Sequence, residues 1–173
     1  MESIRLASLA VEPVEVGVGC AFEGAISFNR RYVMKDGLVR THPHRASTEL
    51  SHVEGPIDPE VGVIGLRCKG GEMAGCFVNF ACHPNVVRGN SISAGYPGAL
   101  SRALRRMEGT QFVTIFGNGA IGNLCQIDVH DATKNCSGRD WADHMGDTLA
   151  EKVTQTWDRM TFAARRALRG ARP

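Results

Sequence analysis

Apolar residues recur along this chain with two periods, and each period marks a different kind of element. VEVGVGCAF (14–22) alternates and predicts a strand. VGVIGLRC (61–68) and AGCFVNFAC (74–82) predict two more, joined by the compact link KGGE (69–72). In the second of these, Cys76, Val78, Phe80 and Cys82 share one face, while Phe77, Asn79, Ala81 and His83 share the other. The face with Asn79 and His83 is mixed, which a pure core face has no need to be. RRYVMKDGLVRTHP (30–43) reads as a hairpin, with Tyr32 to Met34 and Leu38 to Arg40 on either side of an Asp36-Gly37 turn. That pair accepts the positive φ values a tight turn requires. QFVTIFGNG (111–119) is a buried strand, Phe112 to Phe116, that runs into a glycine-rich turn.

Helical spacing governs two other stretches. In PGALSRALRRMEG (97–109) Pro97 suits the first turn, Leu100, Ala103, Leu104 and Met107 fall on one side, and Gly109 stops the helix. In residues 137–160, Trp141, Met145, Leu149, Val153 and Trp157 recur every four residues as one apolar stripe. HRASTELSHVEGPIDPE (44–60) has no period and predicts a long surface loop of the kind that often carries function. Strands alternating with helices imply an α/β or α+β fold, a layered mixed sheet flanked by helices. No repeat or domain boundary is visible. Residues 1–160 read as one unit, and 161–173 read as a basic tail ending in the solvated run RRALRGARP.

Composition narrows the function. With 173 residues, 43% of them hydrophobic, the chain can bury one sizeable core. Lys+Arg 20 against Asp+Glu 18 gives a net charge of +2, too weak a field to suggest nucleic acid as a partner. The cysteines stand at 20, 68, 76, 82, 125 and 136, with no C-x-x-C spacing and several in apolar strands. They predict reduced thiols and favour a cytoplasmic compartment. No run is long enough to span a bilayer, and MESIRLASLA lacks the layout of a signal peptide.

Chemistry-bearing residues gather where strands end. In FVNFACHPNVV (77–87), Pro84 stops the ladder and leaves His83 at the strand's end, either capping backbone or pointing into a crevice. ACHPNVVRGN, SISAGYPG and GNGAIGNLCQID are all polar, glycine-rich turns after apolar stretches, and crevices at carboxyl ends of strands are where such sheets bind ligands. GNGAIG fits G-x-G-x-x-G, but no helix signal follows it and no ribose-binding acid comes later, so it argues little for a nucleotide. His42 and His44 in T-H-P-H, and Asp128, His130 and Asp131 in DVHD, are further metal-type groupings that read equally as polar turns.

Five segments together carry a resemblance: FNRRYVMKDGLVRTHP (28–43), GPIDPEVGVIGLR (55–67), VNFACHPNVV (78–87), SAGYPG (93–98) and FGNGAIGNLCQID (116–128). In order and spacing the chain resembles the N-terminal catalytic domain of neutral/alkaline (non-lysosomal) ceramidases, and more nearly the bacterial ceramidase-like branch. The resemblance implies zinc-dependent hydrolysis of an N-acyl amide, with ceramide-type lipids or related amides as substrates. A zinc ion suits that task because it lowers the pKa of bound water to about 7 and polarises the carbonyl.

Carried onto this sequence, the resemblance makes His83 a zinc ligand and Arg30, beside Asn29, the active-site arginine. Cys125 stands in the place of the family's active-site serine, preceded by Asn123. Tyr96 and Asn118, in the two neighbouring turns, join Asn29 as expected substrate contacts. Departures accompany the match: Asn123 replaces an aspartate, Cys125 a serine, Gln126 a proline, and Gly95 the aspartate of S-A-D-Y-P-G. The family's other zinc ligands, an upstream H-x-H histidine and a downstream glutamate and tyrosine, have no counterpart in these residues. The expectation is therefore a partial catalytic domain with an incomplete zinc ligand set, inactive in isolation. A non-catalytic remnant or a small-molecule-binding module is the alternative. A sheet cut at both sides would expose edges through which copies could associate. For the full-length family a secreted or periplasmic location stays open.

Overall fold

In this computed structural model, which describes residues 2–90 and 92–164, the chain runs α1 (Glu2–Leu9), β1 (Val14–Phe22), β2 (Phe28–Asn29), β3 (Arg31–Met34), β4 (Val39–Thr41), β5 (Leu50–Val53), β6 (Glu60–Cys68), β7 (Met73–Phe80), α2 (Gly95–Glu108), β8 (Val113–Asn118), β9 (Leu124–Cys125) and α3 (Arg139–Trp157). The fold is mixed α/β, and its main sheet has the order β1-β6-β7-β8. β1 is antiparallel to β6 and β6, across a short link, to β7, whereas β7 and β8 are parallel. A parallel pair needs a crossover, and α2 supplies it.

Alternation decides which side of the sheet is dry. Val61, Val63, Cys76, Val78 and Phe80 point to one face and form a single core with Leu100 and Leu104 of α2 and with Met145, Leu149 and Val153 of α3. The two helices touch through small residues. A Cβ added at Gly146 of α3 would strike the Ala99 Cβ and lie 2.5 Å from the Leu100 backbone nitrogen. Side chains on the opposite face, among them Val18, Ile64, Val113 and Ile115, are exposed, so the described helices α2 and α3 flank the sheet on one side.

A furrow of glycines interrupts the inner face at its β1 margin. Gly17 lies opposite Gly65 in the register, and added Cβ atoms there would meet Phe162 at 2.8 Å and Met73 at 3.0 Å. The missing side chains leave room for Met160 and Phe162, and the chain then pairs Ala163 with Val16 at the sheet edge. Arg67 stacks its guanidinium 4.1 Å above the Phe162 ring. The basic run at 165–173 lies outside the described residues.

The strands and the long helix fall close to the positions predicted, with some differences: the stretch expected as a buried strand at 112–116 forms β8, but Val113 and Ile115 face the uncovered side of the sheet and are exposed. The stretch at 44–60 contains β5, which pairs with β3 through Val33 and His52 to make a three-stranded sheet, β4-β3-β5. Its two apolar residues, Leu50 and Val53, are too few to show alternation. Met107 is half exposed because α2 ends beyond the edge of the core. The two-residue β2–β9 pair and the exposed α1 had no periodic signal.

Candidate functional site

The site is assembled at the carboxyl end of β7, from a loop whose backbone is pinned almost residue by residue. The Phe80 carbonyl accepts from Gly119 N–H at 3.1 Å. Ala81 O accepts the buried Ser27 hydroxyl at 2.7 Å, and Cys82 O accepts the Tyr96 hydroxyl, also at 2.7 Å. Gln126 Nε2 reaches Asn85 O at 3.4 Å, and Gly138 N–H reaches Val86 O at 3.0 Å. Buried carbonyls need partners, and these partners fix the segment that presents His83. Gly95 tightens the same corner. Its φ is +56°, and a Cβ there would stand 2.8 Å from the Pro84 carbonyl oxygen. A residue with a side chain, such as the aspartate of the related pattern, is strained in this backbone.

Arg30 arrives from the other side. The β2–β9 pair sets Phe28 opposite Cys125 and Asn29 opposite Leu124. Beyond it Arg30 N–H donates to Asn123 O at 2.8 Å, and Arg30 Nη2 donates to Gly122 O at 2.7 Å. The Arg30 Nε is buried and has no hydrogen-bond partner. Its carbonyl accepts from His42 N–H at 2.8 Å. His42 holds φ at +53°, a left-handed conformation uncommon for a residue with a side chain.

These elements enclose a cavity of about 230 Å³. Of the residues singled out in the sequence, Arg30, His83 and Cys125 line it together. Asn123 contributes its carbonyl to Arg30. Asn29, Tyr96 and Asn118 stand apart from the lining. Asn29 is buried, with its amide donating to the Gly55 and Pro56 carbonyls and its oxygen accepting from Arg31 N–H. Tyr96 is wholly buried and spends its hydroxyl on Cys82. Asn118 is the exposed last residue of β8.

His42, Asn85, Arg88, Gln126 and Ile127 complete the walls. His42 was legible as part of T-H-P-H, and Gln126 as a departure from the resembling pattern. Arg88 lies in the ACHPNVVRGN turn but had no spacing to distinguish it. A larger hollow of about 460 Å³, bounded by Met34, Arg40, Thr41, Pro43 and Glu49, lies on the other side of His42, which borders both.

Electrostatically the cavity is cationic. Partial burial lowers the pKa of His42 below its ordinary value, and Arg30, Arg88 and His83 lower it further. Burial also raises the Cys125 pKa, against smaller opposing effects of the Ile127 backbone and Arg30. At neutral pH that group is a thiol rather than the thiolate that acts as nucleophile or metal ligand.

A catalytic zinc ordinarily takes three protein ligands. Among the described residues no group of three or more His, Cys, Asp or Glu side chains is placed to hold a metal ion. His83, His42 and the neutral Cys125 thiol therefore do not make up a zinc centre by themselves. The DVHD carboxylates serve their own turn: Asp128 accepts from His130 N–H, and Asp131 accepts from Thr133 and Lys134 N–H groups.

No protein-family model matches the chain, and no curated protein does. Solved structures do. The chain is similar to the neutral ceramidase from Pseudomonas aeruginosa, with a TM-score of 0.67 and 21% identity over 89% of this chain and 24% of that one. It is also similar to a ceramidase solved in complex with C2, with a TM-score of 0.62 and 20% identity over 83% of this chain and 22% of the other. The chain thus has the fold of a part of these enzymes and spans about a quarter of their length.

Proposed function

We propose that the chain is a ceramidase-like amide-binding unit, whose cavity takes the polar end of an N-acyl lipid or a smaller N-acyl amide. One observation carries this proposal. Arg30, His83 and Cys125, far apart in sequence and each matched to the ceramidase pattern, line a single cavity in a fold shared with ceramidases. Arg30 lines the cavity with a guanidinium of which Nη2 is held by the Gly122 carbonyl, and an amide carbonyl oxygen is an acceptor that its remaining terminal N–H groups can meet. His83 supplies a ring nitrogen beside it, able to accept from an amide N–H or donate to a carbonyl. The neutral Cys125 thiol shapes the floor.

Zinc, in the family resembled, would supply a water ionised near neutrality. The described residues do not complete a site for it, and binding without turnover is the expected behaviour of these residues alone. Calorimetric titration with N-acetylethanolamine, with amine release followed in parallel and with zinc analysis of the purified protein, tests this. Binding that is lost in Arg30→Gln, with no tightly held zinc, is expected. Absence of binding would overturn the proposal. One zinc per chain with turnover, both lost in His83→Ala, would replace it with a complete hydrolase.

A further inference from the structure

The cavity has a charge asymmetry that a neutral amide does not explain. Two guanidinium groups and two imidazoles line it, with no carboxylate beside them. Among the described residues neither Arg30 nor Arg88 forms an ion pair; Arg45, Arg105, Arg139 and Arg159 have none either, but Arg30 and Arg88 are the two that line one cavity together. Two guanidinium groups beside one hollow that no carboxylate lines repel each other, and an anion between them relieves that repulsion. The fold also spends energy around Arg30. The Arg30 Nε is buried without an acceptor, and His42 adopts its left-handed backbone while bonded to the Arg30 carbonyl.

Size limits what the anion belongs to. About 230 Å³ accommodates a headgroup but not a long acyl chain, so the charged part of the ligand is the part inside. Asn85 and Gln126 line the same wall, but Gln126 Nε2 is taken by the Asn85 carbonyl and Arg30 Nη2 by the Gly122 carbonyl, which leaves Arg88 and the rest of the Arg30 guanidinium as the charged donors. A planar carboxylate matches a guanidinium fork through two parallel hydrogen bonds.

We infer that the cavity selects a carboxylate-bearing amide, an N-acyl amino acid, with its carboxylate held between Arg30 and Arg88. The amide part of this ligand rests on the function proposed above; the carboxylate part rests on the cavity's charges alone. The two separate in a comparison of N-acetylglycine with N-acetylethanolamine, which differ at the carboxylate. Both are titrated calorimetrically into the 173-residue chain in resin-treated, metal-free buffer, and amine release is followed alongside.

N-acetylglycine is expected to bind at least about tenfold more tightly, as a charge-assisted bidentate contact should, and rising ionic strength should erode that preference. Arg88→Gln removes an exposed side chain that makes no hydrogen bond among the described residues, so the variant keeps its fold by circular dichroism. It should bring the two affinities together. Equal affinities in the native chain, or a preference untouched by Arg88→Gln, would overturn the inference while leaving neutral-amide binding intact. Tighter binding of inorganic phosphate than of N-acetylglycine would also overturn it, in favour of a phosphate site. N-acetylglycine binding without amine release supports the carboxylate site, and turnover would overturn only the binding-without-hydrolysis part of the proposed function. Failure of both probes to bind would overturn both.

Discussion

Replacing Gly146 with alanine sets two known effects against each other. In an exposed helix interior the change stabilises by up to about 1 kcal/mol, because alanine is the better helix former. Gly146 faces α2, however, where the new Cβ meets the Ala99 Cβ and sits 2.5 Å from Leu100 N and 2.6 Å from the Ala99 carbonyl carbon. Ordinary contacts are about 3.5 Å, so the helices must part by roughly 1 Å, and a gap of that size forfeits a quarter to a half of each dispersion contact it opens. Leu100, Leu104, Met145 and Leu149 all lie in the core shared by the two helices. Overpacking of this kind costs about 1–3 kcal/mol, and backbone cannot rotate away as a side chain can. The net expectation is a loss of about 2 kcal/mol, or about 4–8 °C in melting temperature for a chain of this size.

Urea unfolding followed by tryptophan fluorescence suits the measurement, since Trp141 and Trp157 stand near the two ends of α3. A double-mutant cycle with Ala99→Gly isolates the contact. The partner change removes one obstacle and leaves Leu100 N in place, so the cycle should recover less than half of the loss. An unchanged or raised midpoint for Gly146→Ala, at unchanged slope, would refute the close packing of α2 on α3. The consequence reaches the cavity as well. Tyr96, in the first turn of α2, holds the Cys82 carbonyl, so parting the helices should also weaken amide binding.

Two further outcomes follow from the electrostatics and burial. Because burial, followed by Arg30, Arg88 and His83, lowers the folded pKa of His42 from 6.5, protonation favours the unfolded chain; its stability contribution is intact above the unfolded value and is lost as pH falls from there toward the folded one. His42→Asn, which tolerates the same backbone, should flatten the melting temperature over that interval, and an identical pH profile would count against the assignment. Exposed Cys20 should be alkylated first at neutral pH, whereas Cys76 and Cys82, whose thiols burial pushes up to about 12, should react only in denaturant. Peptide mapping that found Cys82 labelled as fast as Cys20 would contradict the burial described here.

Long-range structure was legible in proportion to how many consecutive residues repeated a period. β6, β7 and α3 announce themselves because apolar residues repeat along each of them: Val61 and Val63, then Cys76, Val78 and Phe80, then Trp141, Met145, Leu149 and Val153. β5 and β9 do not, since a four- or two-residue strand is stabilised by its partners and not by its own pattern. His83 was legible as a strand-end histidine because Pro84 follows it. Arg88 was not, for its place in the cavity depends on folding the 81–90 loop beside His42, just after β4 and 46 residues earlier. Spacing likewise cannot reveal that Tyr96 and Asn29 turn their polar atoms to backbone groups instead of toward the cavity. Those choices are made by tertiary packing, after the local elements exist.

The Val16–Ala163 pairing gives the protein a natural handle. In the register Val16 stands across from Leu66 and Leu66 across from Gly75, whereas the cavity loop leaves β7 at Phe80. Five residues of strand separate the two ends, about 17 Å at the usual rise. A linker grafted after residue 164 would therefore depart far from the cavity mouth, and the chain could be tethered to a sensor surface by that end with its ligand entrance facing the liquid.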